Sequence, residues 1–204
     1  MIVGITGGIG SGKSTIAGQL REMGYAVYDT DSEAKRLITE DAIVRQQIEQ
    51  LFGSEAYTNG VYQTAWVAQR VFADKSLLAQ LNAIVHPAVK TDILRWTQTI
   101  NNATPHYTTL HHTTPCFIEC AILYQAGFNT LCDKVVAITA PEEVRIDRVI
   151  TRDHSTIEKV RARMRAQDLE QNLQRADIVV NNDGTHPISE LCEQILHQLH
   201  LAQG

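Results

Sequence analysis

The feature that most constrains this chain is a glycine-rich segment near the N-terminus. Residues 7–14 read GGIGSGKS and match the pattern G-x-x-x-x-G-K-[ST] at every fixed position. The apolar, β-branched run before it, IVGIT at residues 2–6, predicts a buried strand. The residues after it predict a helix from about Ser14 to Met23, with Gly24 just past its C-terminal end. A strand, a glycine turn and a helix in this order predict a phosphate-binding loop, or P-loop.

The spacing of this motif has a chemical basis. Glycines permit backbone angles that other residues avoid, so successive N–H groups converge on one anion, and the following helix adds the dipole of its N-terminus. Lys13 is placed to reach the β- and γ-phosphates of a nucleotide, and the Ser14 hydroxyl is placed to ligate Mg²⁺. A guanine-nucleotide switch is disfavoured, because the sequence has no N-K-x-D segment. We therefore expect ATP to contact Gly8, Ile9, Gly10, Ser11, Gly12, Lys13, Ser14 and Thr15.

The rest of the chain alternates between short apolar runs and helical patterns. Further strands are predicted at residues 26–29, 116–120, 134–139 and 177–182. Residues 32–102 are mainly helical by pattern, with breaks expected near Gly53, at residues 57–60 and at Pro87. Strands that alternate with helices predict a parallel sheet covered on both faces. The predicted fold class is α/β, a three-layer P-loop NTPase fold with a five-stranded parallel sheet, a helical substrate-binding insertion and a helical lid.

Carboxylates follow two of the predicted strands. Asp29 and Asp31 end the second strand, and Glu119 lies near the end of the third. Ligands of open α/β sheets bind beyond the carboxyl ends of the strands, so Asp31 is a candidate base for an attacking hydroxyl and Asp29 a candidate substrate contact. The alternative for Asp29 is that it caps the helix after it. Glu119 is a candidate for Mg²⁺ or its waters, or a satisfied carboxylate at a strand end.

Basic residues are concentrated in one part of the chain. Eight of the 18 Lys and Arg residues are Arg145, Arg148, Arg152, Lys159, Arg161, Arg163, Arg165 and Arg175. Arginines that close over a moving phosphoryl group stabilise its charge, and closure excludes water, so this basic segment is predicted to form a lid. Arg148 and Arg152 lie one helical turn apart, and Arg148 is the candidate for contact with the phosphates. The alternative for Arg161, Arg163 and Arg165 is a solvated helix with ion pairs to nearby glutamates.

Composition limits the partners. The formal net charge is −5 and the pI is about 5.9, which disfavours nucleic acid as a ligand. No apolar run approaches the ~20 residues that span a bilayer, and the N-terminus has no basic leader. The four cysteines show no CxxC or zinc spacing, as in reduced cytoplasmic proteins. We expect a cytoplasmic monomer or small homo-oligomer that acts on a small molecule.

Several segments together resemble the dephospho-coenzyme A kinase family over nearly the whole chain. They are ITGGIGSGKST, YDTDSEAKRL, VFADKSLLAQLNAIVHPAV, ILYQAGF, RVITRDHSTIEKVRARMRAQ and ADIVVNNDG. The resemblance implies transfer of the ATP γ-phosphoryl group to the ribose 3′-hydroxyl of dephospho-CoA, with Asp31 as base and Arg148 facing the phosphates. It implies a core of residues 1–31 and 106–204, a lid of residues 141–172 within that core, and a CoA-binding insertion of residues 32–105. It also implies that Asn182 lies beside the adenine of ATP.

The chain departs from the family pattern at two positions. Gln125 stands where the family usually has glutamate, and Thr64 stands where many members have arginine. The role of His86 has two interpretations, a direct substrate contact or the end of a helix before Pro87. Another small-molecule kinase, such as a nucleoside monophosphate kinase, remains an alternative, and so does a module that holds ATP without transferring it.

Overall fold

The computed structural model describes residues 1–103, 115–165, 167 and 169–199. The strands are β1 (Ile2–Gly7), β2 (Ala26–Asp29), β3 (Tyr57–Thr58), β4 (Val61–Tyr62), β5 (Cys116–Glu119), β6 (Lys134–Thr139) and β7 (Ile178–Asn181). The α-helices are α1 (Lys13–Glu22), α2 (Thr30–Glu40), α3 (Ala42–Phe52), α4 (Thr64–Ala73), α5 (Lys75–Ala103), α6 (Glu142–Asp153), α7 (Ile157–Arg165), α8 (Leu169–Arg175) and α9 (Ile188–Gln198). Short 3₁₀ turns lie at Ser54–Ala56 and Phe128–Leu131.

The larger sheet has five strands in the order β2-β5-β1-β6-β7, with β1 at its centre. β1 pairs in parallel with β5 and with β6, and β6 pairs in parallel with β7. The five strands predicted from the sequence, and the α/β class with them, are confirmed. Because the P-loop segment follows the central strand, the ends of the neighbouring strands β5 and β6 flank it.

The core of the sheet lies between β1, β6 and two helices. Val3 and Ile5 of β1 are fully buried, and the same apolar cluster contains Ile16 of α1 and Ile195 of α9. A separate small cluster joins α6 and α7 through Ile146, Val149 and Val160, with Ile9 of the glycine-rich segment packed against it. This packing stabilises α6 next to the glycine-rich segment.

The chain divides into two compact units, Met1–Tyr28 with Thr104–Gly204, and Asp29–Ala103. The second unit contains helices α2 to α5 and an antiparallel hairpin of β3 and β4. Its core is made of buried residues on α3, the hairpin and α4, including Ile48, Tyr57 and Val67. The boundary expected at residues 105/106 lies outside the described residues.

The helix break expected at Pro87 is wrong. Helix α5 is 29 residues long and contains Pro87 in its interior. Val85, Val89 and Ile93 keep one apolar stripe buried along the helix, while Pro87 itself is exposed. The carbonyl of Ala83, which proline leaves without its helical donor, belongs to an exposed residue, so water can satisfy it. Packing of the continuous stripe therefore outweighs the local cost of the proline.

Within the described residues, no helix has the length and apolar character needed to cross a membrane.

Candidate active site

The glycine-rich segment forms a turn between β1 and α1. Gly10 and Gly12 have φ angles of 77° and 90°, which L-residues with side chains rarely adopt. The Ser11 amide donates to the Gly8 carbonyl at 3.1 Å and closes the turn. Gly12 is the N-cap of α1 and has no side chain to bond the first N–H groups of the helix. Because no side chain of the N-cap residue bonds them, the N–H groups at this helix start, together with the helix dipole, suit an anion.

Lys13, Ser14 and Glu119 lie beside this turn. Lys13 is the first residue of α1 and is buried, whereas Ser14 is exposed. The Ser14 hydroxyl donates to Glu119 Oε1 at 3.1 Å. Glu119 is only 8% exposed, and its strand places it opposite Ile5 of β1, two residues before the turn. Ser14 and Glu119, which the sequence named separately as magnesium candidates, are therefore hydrogen-bonded to each other next to the phosphate-binding turn.

The oxygens of Ser14 and Glu119 suit a magnesium ion. Mg²⁺ prefers hard oxygen ligands and in phosphate-transfer sites uses few protein ligands, with waters and phosphates completing the octahedron. Elsewhere in the described chain, no group of three or more His, Cys, Asp or Glu side chains is arranged to hold a metal. The donors present therefore fit a nucleotide-associated Mg²⁺ better than a resident structural metal.

Two arginines of α6 contact the backbone of the turn. Arg145 is 6% exposed, and its Nε donates to the Ile9 carbonyl at 2.9 Å. Burial lowers the pKa of this guanidinium. Arg148, one turn further along, has Nη1 3.4 Å from the Gly10 carbonyl. The predicted Arg148 is thus beside the loop, but its Nη1 faces a carbonyl in this structure.

Asn182 follows β7 and is held against the same turn. The backbone N–H of Asn182 donates to the Thr139 carbonyl at 2.8 Å, which fixes the Asn182 backbone at the end of β6. Its side chain is 2% exposed, and Nδ2 donates to the Ser11 carbonyl at 2.9 Å. Arg148 donates to the Asn182 carbonyl at 3.0 Å and to its Oδ1 at 3.3 Å. The side chain predicted to lie beside adenine is therefore bonded to the phosphate-binding turn.

Gln167 also reaches the turn. Its Oε1 accepts a hydrogen bond from the Ile9 amide at 2.7 Å. The sequence contained this residue in the family segment RMRAQ, but the segment gave no role for its glutamine. Arg145 was likewise missed as an individual site residue, although its position three residues before Arg148 puts both on one face of a helix.

Arg152, Arg161 and Arg163 of the basic segment form surface ion pairs. Arg161 lies 3.4 Å from Glu142, and Arg163 lies 2.9 Å from Asp153. Arg152 also pairs with Asp153, at 2.7 Å, and these two arginines hold the pKa of that carboxyl well below its usual range. The predicted alternative of ion pairs to glutamates therefore holds for Arg161, whereas the partner of Arg163 is an aspartate.

Asp29 and Asp31 lie at the start of the helical unit. Asp29 is the N-cap of α2, and its Oδ1 accepts from the amides of Asp31 and Ser32 at 3.0 and 3.2 Å. Its Oδ2 accepts from the Ser32 hydroxyl at 2.9 Å. The capping interpretation of Asp29 is therefore confirmed. Asp31 is in the first turn of α2 and is exposed.

Comparison with known proteins identifies the family. The family model described as dephospho-CoA kinase matches residues 1–187. The chain belongs to the dephospho-CoA kinase family. A dephospho-CoA kinase from Porphyromonas gingivalis is 42% identical over 174 residues, which cover 85% of this chain and 81% of that protein. Family membership makes this chain an ATP-dependent kinase.

Solved structures share the fold of this chain. The structure of TT1252 from Thermus thermophilus has a TM-score of 0.80 at 32% identity and covers 100% of this chain and 98% of that one. Dephospho-CoA kinase from Campylobacter jejuni has a TM-score of 0.69 at 22% identity, with coverage of 97% and 96%, a likeness that shows the fold.

Three more positions were singled out from the family pattern, and the structure places them in α5, in α4 and in the turns after β5. His86 lies in the interior of α5 and is half-buried, so the interpretation that it ends a helix is wrong, and burial lowers the pKa of its imidazole. Thr64 is the first residue of α4 and is exposed. Gln125 is exposed in the turns after β5. A substrate contact by His86 stays a prediction.

Proposed function

We propose that the protein transfers the γ-phosphoryl group of ATP to the ribose 3′-hydroxyl of dephospho-CoA, giving CoA and ADP. The observation that carries the proposal is the assembled turn of residues 8–15 in a chain of this kinase family. The acceptor oxygen forms a bond to the γ-phosphorus as the bond to the β-bridging oxygen breaks. The hydroxyl proton passes to a carboxylate of the protein, and ADP leaves.

Asp31 is the carboxylate that we assign as the base. The Asp29 carboxylate is already engaged with the first turn of α2 through both of its oxygens. Asp31 lies two residues after Asp29 and is exposed to solvent. Because the oxygens of Asp29 already accept hydrogen bonds, Asp31 is the better proton acceptor of the two. Asp29 then acts chiefly by fixing the direction of the helix start that presents Asp31.

Ser14 and Glu119 would hold Mg²⁺ or its bound waters. The ion, when present, neutralises charge on the β- and γ-phosphates. The Ser14 hydroxyl supplies one oxygen, and the buried Glu119 carboxylate 3.1 Å away orients that hydroxyl or a water. Lys13 neutralises phosphate charge from the first turn of α1.

The other two parts of the chain have separate assignments. The helical unit, Asp29–Ala103, would bind the CoA moiety, with His86 as a candidate contact. Residues 141–172 would close as a lid, with α6 already packed beside the phosphate-binding turn. We place the enzyme in the cytoplasm, where ATP and dephospho-CoA are available.

A substrate panel tests the proposal. Purified protein is assayed with MgATP against dephospho-CoA, adenosine, AMP and shikimate, and we expect turnover with dephospho-CoA to exceed the others by orders of magnitude. Comparable turnover with AMP or shikimate would assign a different acceptor. ATP binding without acceptor-dependent ADP release would leave only a binding module.

Asp31→Asn tests the base assignment. We expect kcat to fall about a hundredfold to ten-thousandfold, the usual contribution of general base catalysis. Asp74→Asn is the matched control, because Asp74 bonds the Ser76 amide at 2.7 Å at the start of α5 and asparagine caps a helix as well as aspartate does. Near-normal kcat in Asp31→Asn would remove Asp31 from the mechanism.

A further inference from the structure

Three consecutive carbonyls of the phosphate-binding turn are each within hydrogen-bond reach of a side chain. Arg145 Nε bonds the Ile9 carbonyl at 2.9 Å, and Asn182 Nδ2 bonds the Ser11 carbonyl at 2.9 Å. Between them, Arg148 Nη1 lies 3.4 Å from the Gly10 carbonyl. Its stronger bonds, at 3.0 and 3.3 Å, fix Asn182. We refer to Arg145 and Asn182 as the carbonyl clamp, and Arg148 supports the clamp by its hydrogen bonds to Asn182.

Peptide geometry converts this grip on carbonyls into an orientation of amides. A trans peptide is planar, and its C=O and the following N–H point in opposite directions. Holding the Ile9 carbonyl toward Arg145 therefore turns the Gly10 N–H to the opposite face of the turn. Holding the Ser11 carbonyl toward Asn182 does the same for the Gly12 N–H. These amides belong to the set that a P-loop directs at the phosphates.

Atoms of the clamp residues pack closely against Gly10 and Gly12, the two glycines whose amides the clamp orients. A Cβ atom on Gly10 would lie 2.5 Å from the Arg145 carbonyl oxygen. A Cβ atom on Gly12 would lie 2.2 Å from Asn182 Nδ2. Real Cβ atoms do not come so close to other atoms, so the glycines make room for the clamp in addition to permitting positive φ angles.

Arg145 is retained at a cost to stability. It is 6% exposed, and its Nη2 is buried without a hydrogen-bond partner in the described part of the chain. A buried guanidinium with an unpaired nitrogen destabilises a fold relative to an apolar residue of similar volume. A purely structural side chain at this position would be apolar, so the arginine is explained better by its bond to the Ile9 carbonyl.

We propose that Arg145 and Asn182 are positioning residues for ATP, which act by holding the Gly10 and Gly12 amides toward the nucleotide phosphates. Neither side chain needs to touch the nucleotide. The proposal rests on ATP binding at the turn, as the proposed function does, but it is independent of which acceptor receives the phosphoryl group.

Arg145→Met separates positioning from a structural role. Methionine fills similar volume without a buried charge, so we expect an unchanged or higher melting temperature. We expect the Kd for MgATP to rise roughly tenfold to a hundredfold, the contribution of one or more hydrogen bonds to a charged group, with KM for dephospho-CoA unchanged. The matched control is Arg21→Met at the exposed end of α1, which should leave Kd, KM and kcat at the wild-type values.

A spectroscopic measurement follows the amide itself. In protein labelled with ¹⁵N-glycine, we expect MgADP to shift the Gly10 amide resonance in the wild type and to shift it less in Arg145→Met. Arg145→Lys is the second variant, for use if Arg145→Met does not fold. Lysine keeps the charge but not the direction of the Nε–H, so nucleotide affinity should still fall.

Three results would overturn the proposal. They are wild-type affinity for MgATP in Arg145→Met, full affinity in Arg145→Lys, and an unchanged response of the Gly10 amide in Arg145→Met. Measurements of MgATP binding and of dephospho-CoA phosphorylation distinguish a failure of the positioning proposal from a failure of the proposed function. If the affinity of the protein for MgATP depends on Arg145 but the protein does not phosphorylate dephospho-CoA, the acceptor assignment is wrong and the positioning role of Arg145 is supported.

Discussion

Replacing Gly12 by alanine should destabilise the sheet-containing unit and weaken nucleotide binding together. The residue has φ 90°, a conformation that costs a residue with a side chain about 1–2 kcal/mol. The new Cβ would also lie 2.2 Å from Asn182 Nδ2, so the asparagine must move and lose its bond to the Ser11 carbonyl. Leaving such buried groups unpaired costs about 1–3 kcal/mol. The expected loss in free energy of unfolding is therefore about 2–5 kcal/mol.

The assay is urea unfolding followed by far-UV circular dichroism, with Gly24→Ala as the matched control. Gly24 has the same φ of 90°, but a Cβ there meets nothing within 4 Å, so the control isolates the backbone cost. Both tryptophans, Trp66 and Trp96, lie in the helical unit, so the unfolding transition seen by tryptophan fluorescence reports that unit separately. Isothermal titration with MgATP measures affinity in both variants.

An equal loss of stability in Gly12→Ala and Gly24→Ala would refute the reasoning. It would mean that the close contact with Asn182 contributes nothing beyond the backbone angle. Unchanged affinity for MgATP in Gly12→Ala would refute the second part, because the displaced asparagine should no longer orient the turn.

Three further predictions follow from other contacts. Ser14→Ala should lower kcat about a hundredfold or more with Mg²⁺, because it removes an oxygen beside Glu119, and a kcat within twofold of wild type would contradict the assignment. The pKa of Asp177 is lowered by hydrogen bonds from Lys134 and a backbone amide, so its carboxylate stabilises the fold above its unfolded pKa and stops doing so as pH falls. Asp177→Asn should therefore have a lower urea midpoint than wild type near neutral pH, with the gap closing below about pH 4, and a gap independent of pH would contradict this cause. Partial burial raises the pKa of the Cys132 thiol to about 12, so the thiol should react with a disulfide reagent much more slowly in the folded than in the denatured protein, and equal rates would contradict the raised pKa.

Much of the fold could be predicted from the sequence because its signals are local. The strands of the sheet are short apolar runs, and the turn of residues 7–14 has fixed glycine positions that flanking elements confirm. Gly24 does have φ 90° and its amide bonds the Arg21 carbonyl, as expected past the end of a helix. Ser14 and Glu119 were named as separate magnesium candidates, Glu119 because ligands bind beyond the carboxyl ends of parallel strands, and the structure shows that they are hydrogen-bonded to each other.

Other features depended on contacts between distant segments. The helix break expected at Pro87 failed because the buried stripe of α5 continues on the opposite face. The bond from Asn182 to the turn spans 171 residues, and that from Arg145 to Ile9 spans 136, so no local pattern indicates which carbonyls they hold. A single sequence shows that arginines are concentrated after β6, but only packing shows which of them are buried.

The most direct test of the central claim follows the label from ATP. In a single turnover with enzyme in excess over [γ-³²P]ATP and with dephospho-CoA and Mg²⁺ present, the account predicts label in the 3′-phosphate of CoA, at a rate that Lys13→Met lowers by orders of magnitude. Label that appears only as inorganic phosphate, or transfer that proceeds equally well in Lys13→Met, would contradict it.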